Sequence, residues 1–364
     1  FLSSAAQASD HTPKENTLPG LNVAAEKVLE RPVVTGLTIA AGKNGAIIFA
    51  KGFGVSDSET GTPVTINTKM RAGSVSKVFT TALIGKLLEA DKLNLDAPVQ
   101  TYVPSFPQKR WPVTIRQMTA HMSGIRHYQG NEFSSTTHYP TVEGGLKIFR
   151  NDPLQFEPNT RSAYSSYAWN LISAALEKVG QKPFLKLMQT QVFEALEMHN
   201  TVAEDVTKNI SNLASFHETR GSSVNIAPFV DNSYKWAGGG FVGTATDMAK
   251  FGLAHTSSGF LSAKTLALFG KEQTTTSGEK TGFGIGWMTA GALQRRLVRD
   301  NQTQYLGNFS DRLIWHSGGS MGAVALLLVD PEENSAVALM GNNSGSFPVL
   351  LELGLQTLVL LKSK

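Results

Sequence analysis

Ser74 and Lys77 stand three residues apart in Gly73-Ser74-Val75-Ser76-Lys77, at the start of the clearest helical pattern in the chain. Positions three apart share a helix face, so hydroxyl and amine can meet there, and a serine with an amine beside it is an activated nucleophile. A helix N-terminus adds partial positive charge and free N–H groups, which favour both the nucleophile and a developing oxyanion. The plainer reading makes Ser74 an N-cap and Lys77 a solvated charge. Against it, a first-turn lysine opposes the helix dipole, where a capping box would carry Glu or Gln. A second Ser-x-x-Lys, Ser277 to Lys280, falls in a polar stretch with no helix to fix the pair. Tyr164, in Tyr164-Ser165-Ser166, leads into another helical pattern, and a phenol held near Lys77 could pass a proton to a leaving group. A lone tyrosine is otherwise a core residue with its hydroxyl satisfied. His316-Ser317-Gly318-Gly319 precedes an apolar run and could present a backbone N–H opposite Ser74, its small residues letting a substrate lie along a strand edge. An ordinary glycine turn fits the same residues.

The elements that must position these groups follow from periodicity. Residues 21–30 read as a helix; residues 33–41 and 45–55 read as a hairpin turning at Gly42-Lys43-Asn44. Residues 74–92 carry an apolar helical face through Val78, Leu83 and Leu87. Helices and loops continue to about residue 220, including 167–179 and 183–196. Strand character returns at 284–289, 323–329 and 335–340, and an apolar helix closes the chain. The expectation is an α/β fold in which both chain ends build one sheet lobe, residues 21–70 and 236–364, around an inserted, mainly helical lobe of residues 71–235. No internal repeat of fixed period occurs.

Composition excludes several classes. Of 364 residues, 41% are hydrophobic and 17% charged, which makes a globular chain with a large core. The net charge of +4 comes from scattered basic residues with no block of five, so nucleic acid is not an expected partner. The absence of cysteine removes disulfides, thiolate metal sites and cysteine nucleophiles together. Residues 347–361, broken by Glu352 and Gln356, fall short of a membrane span and read as a buried helix. Residues 1–20 read as a signal-peptide remnant or a disordered terminus. Within them Ala6-Gln7-Ala8 fits a signal-peptidase site, which predicts export to a periplasm or the cell exterior.

In this order, the three segments resemble the serine β-lactamase and penicillin-recognising superfamily: class C β-lactamases, DD-peptidases, family VIII carboxylesterases and the mitochondrial β-lactamase-like serine proteases. Secondary signatures match as well, in His121-Met122-Ser123-Gly124-Ile125, Gly238-Gly239-Gly240-Phe241 and Gly282-Phe283-Gly284-Ile285-Gly286-Trp287. The resemblance spans nearly the whole chain. It implies an antiparallel sheet flanked by N- and C-terminal helices, with the active site between the lobes. It also implies that Ser74 is the nucleophile, Lys77 its base and Tyr164 the proton shuttle, with the N–H groups of Ser74 and Gly319 as the oxyanion hole. Ser166, His316, Ser317 and Gly318 then fall at substrate-binding positions. Two residues depart from the pattern. Ser166 stands where the family usually has Asn and offers no amide. His316 stands where Lys is common and is largely neutral at pH 7 at its ordinary pKa. Its expected place is opposite a substrate carboxylate, with the literal Lys280-Thr281-Gly282 as a decoy. Together these residues predict a hydrolase of small-molecule or peptide esters and amides that needs no cofactor. Peptidase or esterase work is favoured over β-lactam turnover. A class C-type β-lactamase, a DD-carboxypeptidase, and a sensor or scaffold that acylates without turnover are the alternatives, and the oligomeric state is left open.

Rival motifs fit less well. Gly318-Gly319-Ser320-Met321-Gly322 matches a nucleophile elbow, but that motif needs a helix where residues 323–329 read as a strand. Gly238-Gly239-Gly240-Phe241-Val242-Gly243 matches a dinucleotide fingerprint, but no buried strand precedes it. His121, His127 and His138 lack the i, i+4 register of a helical metal site and read as loop histidines.

Overall fold

The computed structural model describes Leu18, residues 20–221 and residues 223–363. The candidate cleavage site Ala6-Gln7-Ala8 lies outside the described residues. Helix α1 (Leu21–Val28) leads to strands β1 (Gly36–Lys43), β2 (Ala46–Asp57), β3 (Thr62–Pro63) and β4 (Met70–Arg71). Helices α2 (Ser76–Glu89), α3 (Ile115–Thr119), α4 (Val142–Leu146), α5 (Tyr167–Gly180) and α6 (Phe184–Met188) follow. Next come β5 (Val202–Ala203), β6 (His217–Arg220), β7 (Ser223–Ile226), α7 (Trp236–Gly239), β8 (Phe241–Gly243), α8 (Ala245–Leu253) and α9 (Ala263–Gly270). The chain ends with β9 (Met288–Thr289), α10 (Ala290–Arg299), β10 (Ile314–Ser320), β11 (Ala323–Asp330), β12 (Ser335–Gly341) and α11 (Phe347–Lys362).

Seven strands form one sheet in the order β3-β2-β1-β12-β11-β10-β9, with antiparallel pairing throughout. Its centre joins the two chain ends, Leu37 of β1 facing Gly341 of β12. Because side chains alternate along a strand, β11 serves two cores. Val324, Leu326 and Leu328 pack with α1, α10 and α11 on one face. Ala325, Leu327 and Val329 join α2 and α8 on the other. The Ser344–Lys362 helix is long and apolar enough to cross a membrane, but its buried leucines, Leu350, Leu351, Leu353 and Leu355 among them, pack into the outer core.

The structure shifts some sequence expectations. The first hairpin turns at Asn44 and Gly45, both at positive φ, and β1 runs on through Gly42 and Lys43 of the expected turn. Only residues 288–289 of the expected 284–289 strand are extended. The reason is packing: a Cβ at Gly284 would stand 1.9 Å from the Phe269 carbonyl oxygen, and one at Gly286 would stand 2.1 Å from Thr81 Oγ1. These glycines let the segment press against α9 and α2 rather than join the ladder. The Ser320 segment runs from β10 through a tight turn into β11, strand to strand, which removes the nucleophile elbow.

Candidate active site

Helix α2 begins with a 3₁₀ turn over Gly73–Val75, which places Ser74 at the helix mouth and Lys77 one turn in. Lys77 is completely buried. Its Nζ lies 3.1 Å from Ser74 Oγ, 3.0 Å from Ser166 Oγ and 2.7 Å from the Gly238 carbonyl oxygen. Burial, and secondly the field of Lys235, hold its pKa well below the ordinary lysine value. A neutral amine has two N–H donors and one lone pair. With Gly238 O and Ser166 Oγ accepting the two donors, the lone pair is left for the Ser74 hydroxyl.

The backbone of β10 presses against this helix mouth. A Cβ on Gly318 would collide with the Ala72 carbonyl oxygen at 2.0 Å, and one on Gly73, at φ +49°, would fall 2.8 Å from Gly319 N. Two glycines thus bring Gly319 beside Ser74. Strand β9 pairs with β10 only at Ile314 and Trp315, so the edge beyond them, Gly319 included, is left to the cleft. Ser320 ends the strand and lines the cleft with its Oγ buried and unpartnered.

Tyr164 stands across the cleft, with Lys77 Nζ 4.9 Å from its ring centroid. Desolvation pushes the phenol well above its ordinary pKa, against the opposing hydrogen bonds to Ser74 and Ser166, so it stays protonated and can donate. His121 lies tilted against this ring with centroids 4.2 Å apart, and His127 meets it edge-on at 5.4 Å. His121 Nδ1 accepts the Ser165 N–H and His127 Nδ1 accepts the Ser166 N–H, each at 3.1 Å. These two histidines are therefore supports of the Tyr164 to Ser166 segment. His138 is bonded instead to Asp231 at 2.8 Å. Among the described residues no cluster of three His, Cys, Asp or Glu side chains could hold a metal.

His316 departs from its expected place opposite a substrate carboxylate. Strand alternation turns its ring inward, where it is buried with Nδ1 2.6 Å from the Ser317 carbonyl oxygen. Desolvation, with the field of Lys77 second, lowers its pKa to about 3. The ring is neutral throughout the physiological range and does not line the cleft. Ser317 is half-buried and Gly318 buried against Ala72 and Ser74. Lys280 is exposed in a turn and also lies away from the cleft wall.

Sequence reasoning missed Lys235 and Phe133, which line the cleft with His127 and Tyr128. The segment dismissed as no buried strand, residues 231–235, is indeed no strand, yet each of its residues is buried. Its anchors are Ser233, whose Oγ accepts the Tyr139 N–H at 2.7 Å, and Asn232, which donates to Glu204 at 2.6 Å. Arg126 fixes the opposite loop by bonding Glu132 at 2.7 Å and Asp152 at 2.5 Å.

A serine paired with a buried lysine at a helix mouth, beside an antiparallel sheet capped by both terminal helices, defines the penicillin-binding and β-lactamase-like class of serine hydrolases. The beta-lactamase family model matches residues 24–359, and the chain belongs to that family. The human mitochondrial serine beta-lactamase-like protein LACTB is 30% identical over an alignment 387 positions long, gaps included, covering 82% of this chain and 69% of LACTB. Among solved structures, the octameric penicillin-binding protein homologue from Pyrococcus abyssi superposes with a TM-score of 0.76 at 24% identity, covering 94% of this chain and 77% of the homologue. EstCE1, described as a hydrolase with promiscuous acyltransferase activity, gives 0.75 at 22% identity, covering 93% and 97%.

Proposed function

We propose that the protein hydrolyses ester or amide substrates through an acyl-enzyme on Ser74, as an esterase or peptidase with weak or no β-lactamase activity. The observation that carries this is the buried Lys77 amine, depressed in pKa and within 3.1 Å of Ser74 Oγ. In this reading neutral Lys77 takes the Ser74 proton as Oγ attacks the substrate carbonyl. The oxyanion is held by the N–H groups of Ser74 and Gly319. Collapse breaks the bond to the leaving group, which takes a proton from Tyr164, and Lys77 returns one to the phenol. Water then attacks the acyl-enzyme by the same route and releases Ser74. Low β-lactam turnover follows from Ser166, which has no amide for a substrate amide.

Counting product per enzyme with a nitrophenyl ester, nitrocefin and a D-amino-acid peptide in parallel tests the proposal. Many equivalents from the ester or the peptide, with far fewer from nitrocefin, are expected. A stop near one equivalent with every substrate would make the protein an acylating sensor instead.

A further inference from the structure

Lys235 is 3% exposed and lies on the wall of the cleft that holds Ser74. A Cβ placed on Gly239 would lie 3.7 Å from both the Lys235 Cδ and the Gly73 carbonyl carbon, so the lysine stem runs beside the turn carrying the nucleophile. Its Nζ sits 4.6 Å from the ring centroid of Phe133, 5.1 Å from Tyr234 and 5.4 Å from Tyr128. Ring faces attract an ammonium and fix its position, but they do not neutralise it.

Nearby buried cations have their counter-groups. Arg71 is bonded to Glu204, and Arg126 to Glu132 and Asp152. Lys235 has neither an ion pair nor a hydrogen-bond acceptor among the described residues. The acids around it are engaged: Glu204 by Arg71 and Asn232, Glu132 by Arg126 and the Gln129 N–H, Asp231 by His138 and the Ser233 N–H. A buried cation without a counter-charge is costly to the fold. Here it opens onto a cleft where a ligand can supply one.

We propose that Lys235 is a specificity-determining residue that selects acyl donors bearing a carboxylate, its ammonium forming the ion pair with that group. The proposal rests on the hydrolase reading above. Desolvation, with the field of Arg71 second and Glu204 opposing, brings the Lys235 pKa down to about 7. Selection for the carboxylate is therefore strong below that pH and fades above it. The titratable groups facing Lys235 are Lys77 on α2, the Arg71–Glu204 pair, the Tyr234 phenol, and His127, Tyr128 and Glu132 on the opposite loop. His127 is held to about 4 and stays neutral, and the tyrosines are pushed upward and stay protonated. Glu132 is lowered and remains ionised. Lys77 acts on every substrate alike, so a ratio of two substrates cancels it.

The test compares kcat/KM for two matched pairs. One is 4-nitrophenyl hexanoate and the 4-nitrophenyl half-ester of adipate, which places the carboxylate in the acyl group. The other is phenyl hexanoate and 3-carboxyphenyl hexanoate, which places it in the leaving group. In Lys235→Met the anionic-to-neutral ratio of at least one pair should fall about tenfold, the worth of a charge-assisted contact. Lys235→Arg should recover it. A fall of threefold or less in both pairs, or equal loss in both variants, overturns the proposal. Should Lys235→Met fail to fold, the wild type decides: the ratio must fall between pH 6 and pH 8.5, and a flat ratio in both pairs overturns it. Fluorophosphonate labelling of Ser74 separates the two readings. Labelling with unmoved ratios removes the role of Lys235 alone, whereas no labelling removes the hydrolase reading and this proposal together.

Discussion

Ser-x-x-Lys occurs twice in this chain, and the two copies meet opposite surroundings. At Ser74 the helix fixes the spacing, the lysine is buried, and its amine lies 3.1 Å from the hydroxyl. At Ser277 the chain makes a tight exposed turn, with the Gly278 N–H bonded to the Thr275 carbonyl and Ser277 Oγ 2.9 Å from Thr275 Oγ1. Lys280 there bridges to Thr274 across the turn and points its charge at water. The residue types are identical, so the chemical difference lies in desolvation and register. Water stabilises an ammonium and leaves it useless as a base at neutral pH; a buried site with two acceptors for a neutral amine reverses that preference.

Substitutions at the two copies are the sharpest way to break this contrast. Ser74→Ala should cost on the order of 10⁴-fold or more in kcat for an ester, while Ser277→Ala should stay within about twofold, as surface changes do. Comparable losses at both serines would erase the distinction. Next in size, Lys77→Met should lower kcat by about 10³-fold, and Lys77→Arg should not restore it, because a guanidinium keeps its proton. Lys280→Met should leave ester kcat/KM near wild type. Steady-state kinetics on proteins with matched circular dichroism reads all five.

Tyr164→Phe should reduce kcat by about 10²-fold with KM little changed, since the ring keeps its packing on His121 while the proton path is lost. A variant within threefold of wild type would leave Lys77 to carry the proton unaided. The smallest expected effect concerns pH. In the proposed mechanism Lys77 acts as a neutral base, and its pKa is lowered, so kcat/KM for a neutral ester should be lost as pH falls through that depressed value and should stay level above it. His316, held to about 3, contributes no titration between pH 6 and pH 8. The shape of the profile in His316→Asn should match wild type over that range. A limb near pH 6.5 that vanishes in this variant would return His316 to the cleft.

The pairing of Ser74 with Lys77 was legible because both residues sit at the start of one helix, where a spacing of three has a single geometric meaning. Ser166 and the Gly318 to Gly319 segment were legible only through their order along the chain. What brings Gly319 to Ser74 is the close approach of Gly318 to Ala72, a contact between distant parts of the chain. His316 was expected to face the cleft, and its ring is buried away from the cleft lining, since whether a strand residue faces cleft or core depends on which layers cover the sheet. Lys235 gave no local signal. Its aromatic partners Tyr128 and Phe133 lie about a hundred residues away, and the acids that could have paired with it are taken by Arg71, Arg126 and His138. The hairpin β6–β7 and helix α10 were also missed. The first is largely exposed and has no buried apolar row; the second has a polar average composition and shows only Leu293 and Leu297 as inward leucines.

If the environment of Lys77 activates Ser74, no other lysine should make a serine of this chain reactive. Labelling with a fluorophosphonate at neutral pH, followed by peptide mapping, tests it most directly. A single adduct on Ser74 is expected in the wild type, with labelling lost in Lys77→Met and retained in Lys280→Met. An adduct on Ser277 or Ser320, or full labelling of Ser74 without Lys77, would contradict it.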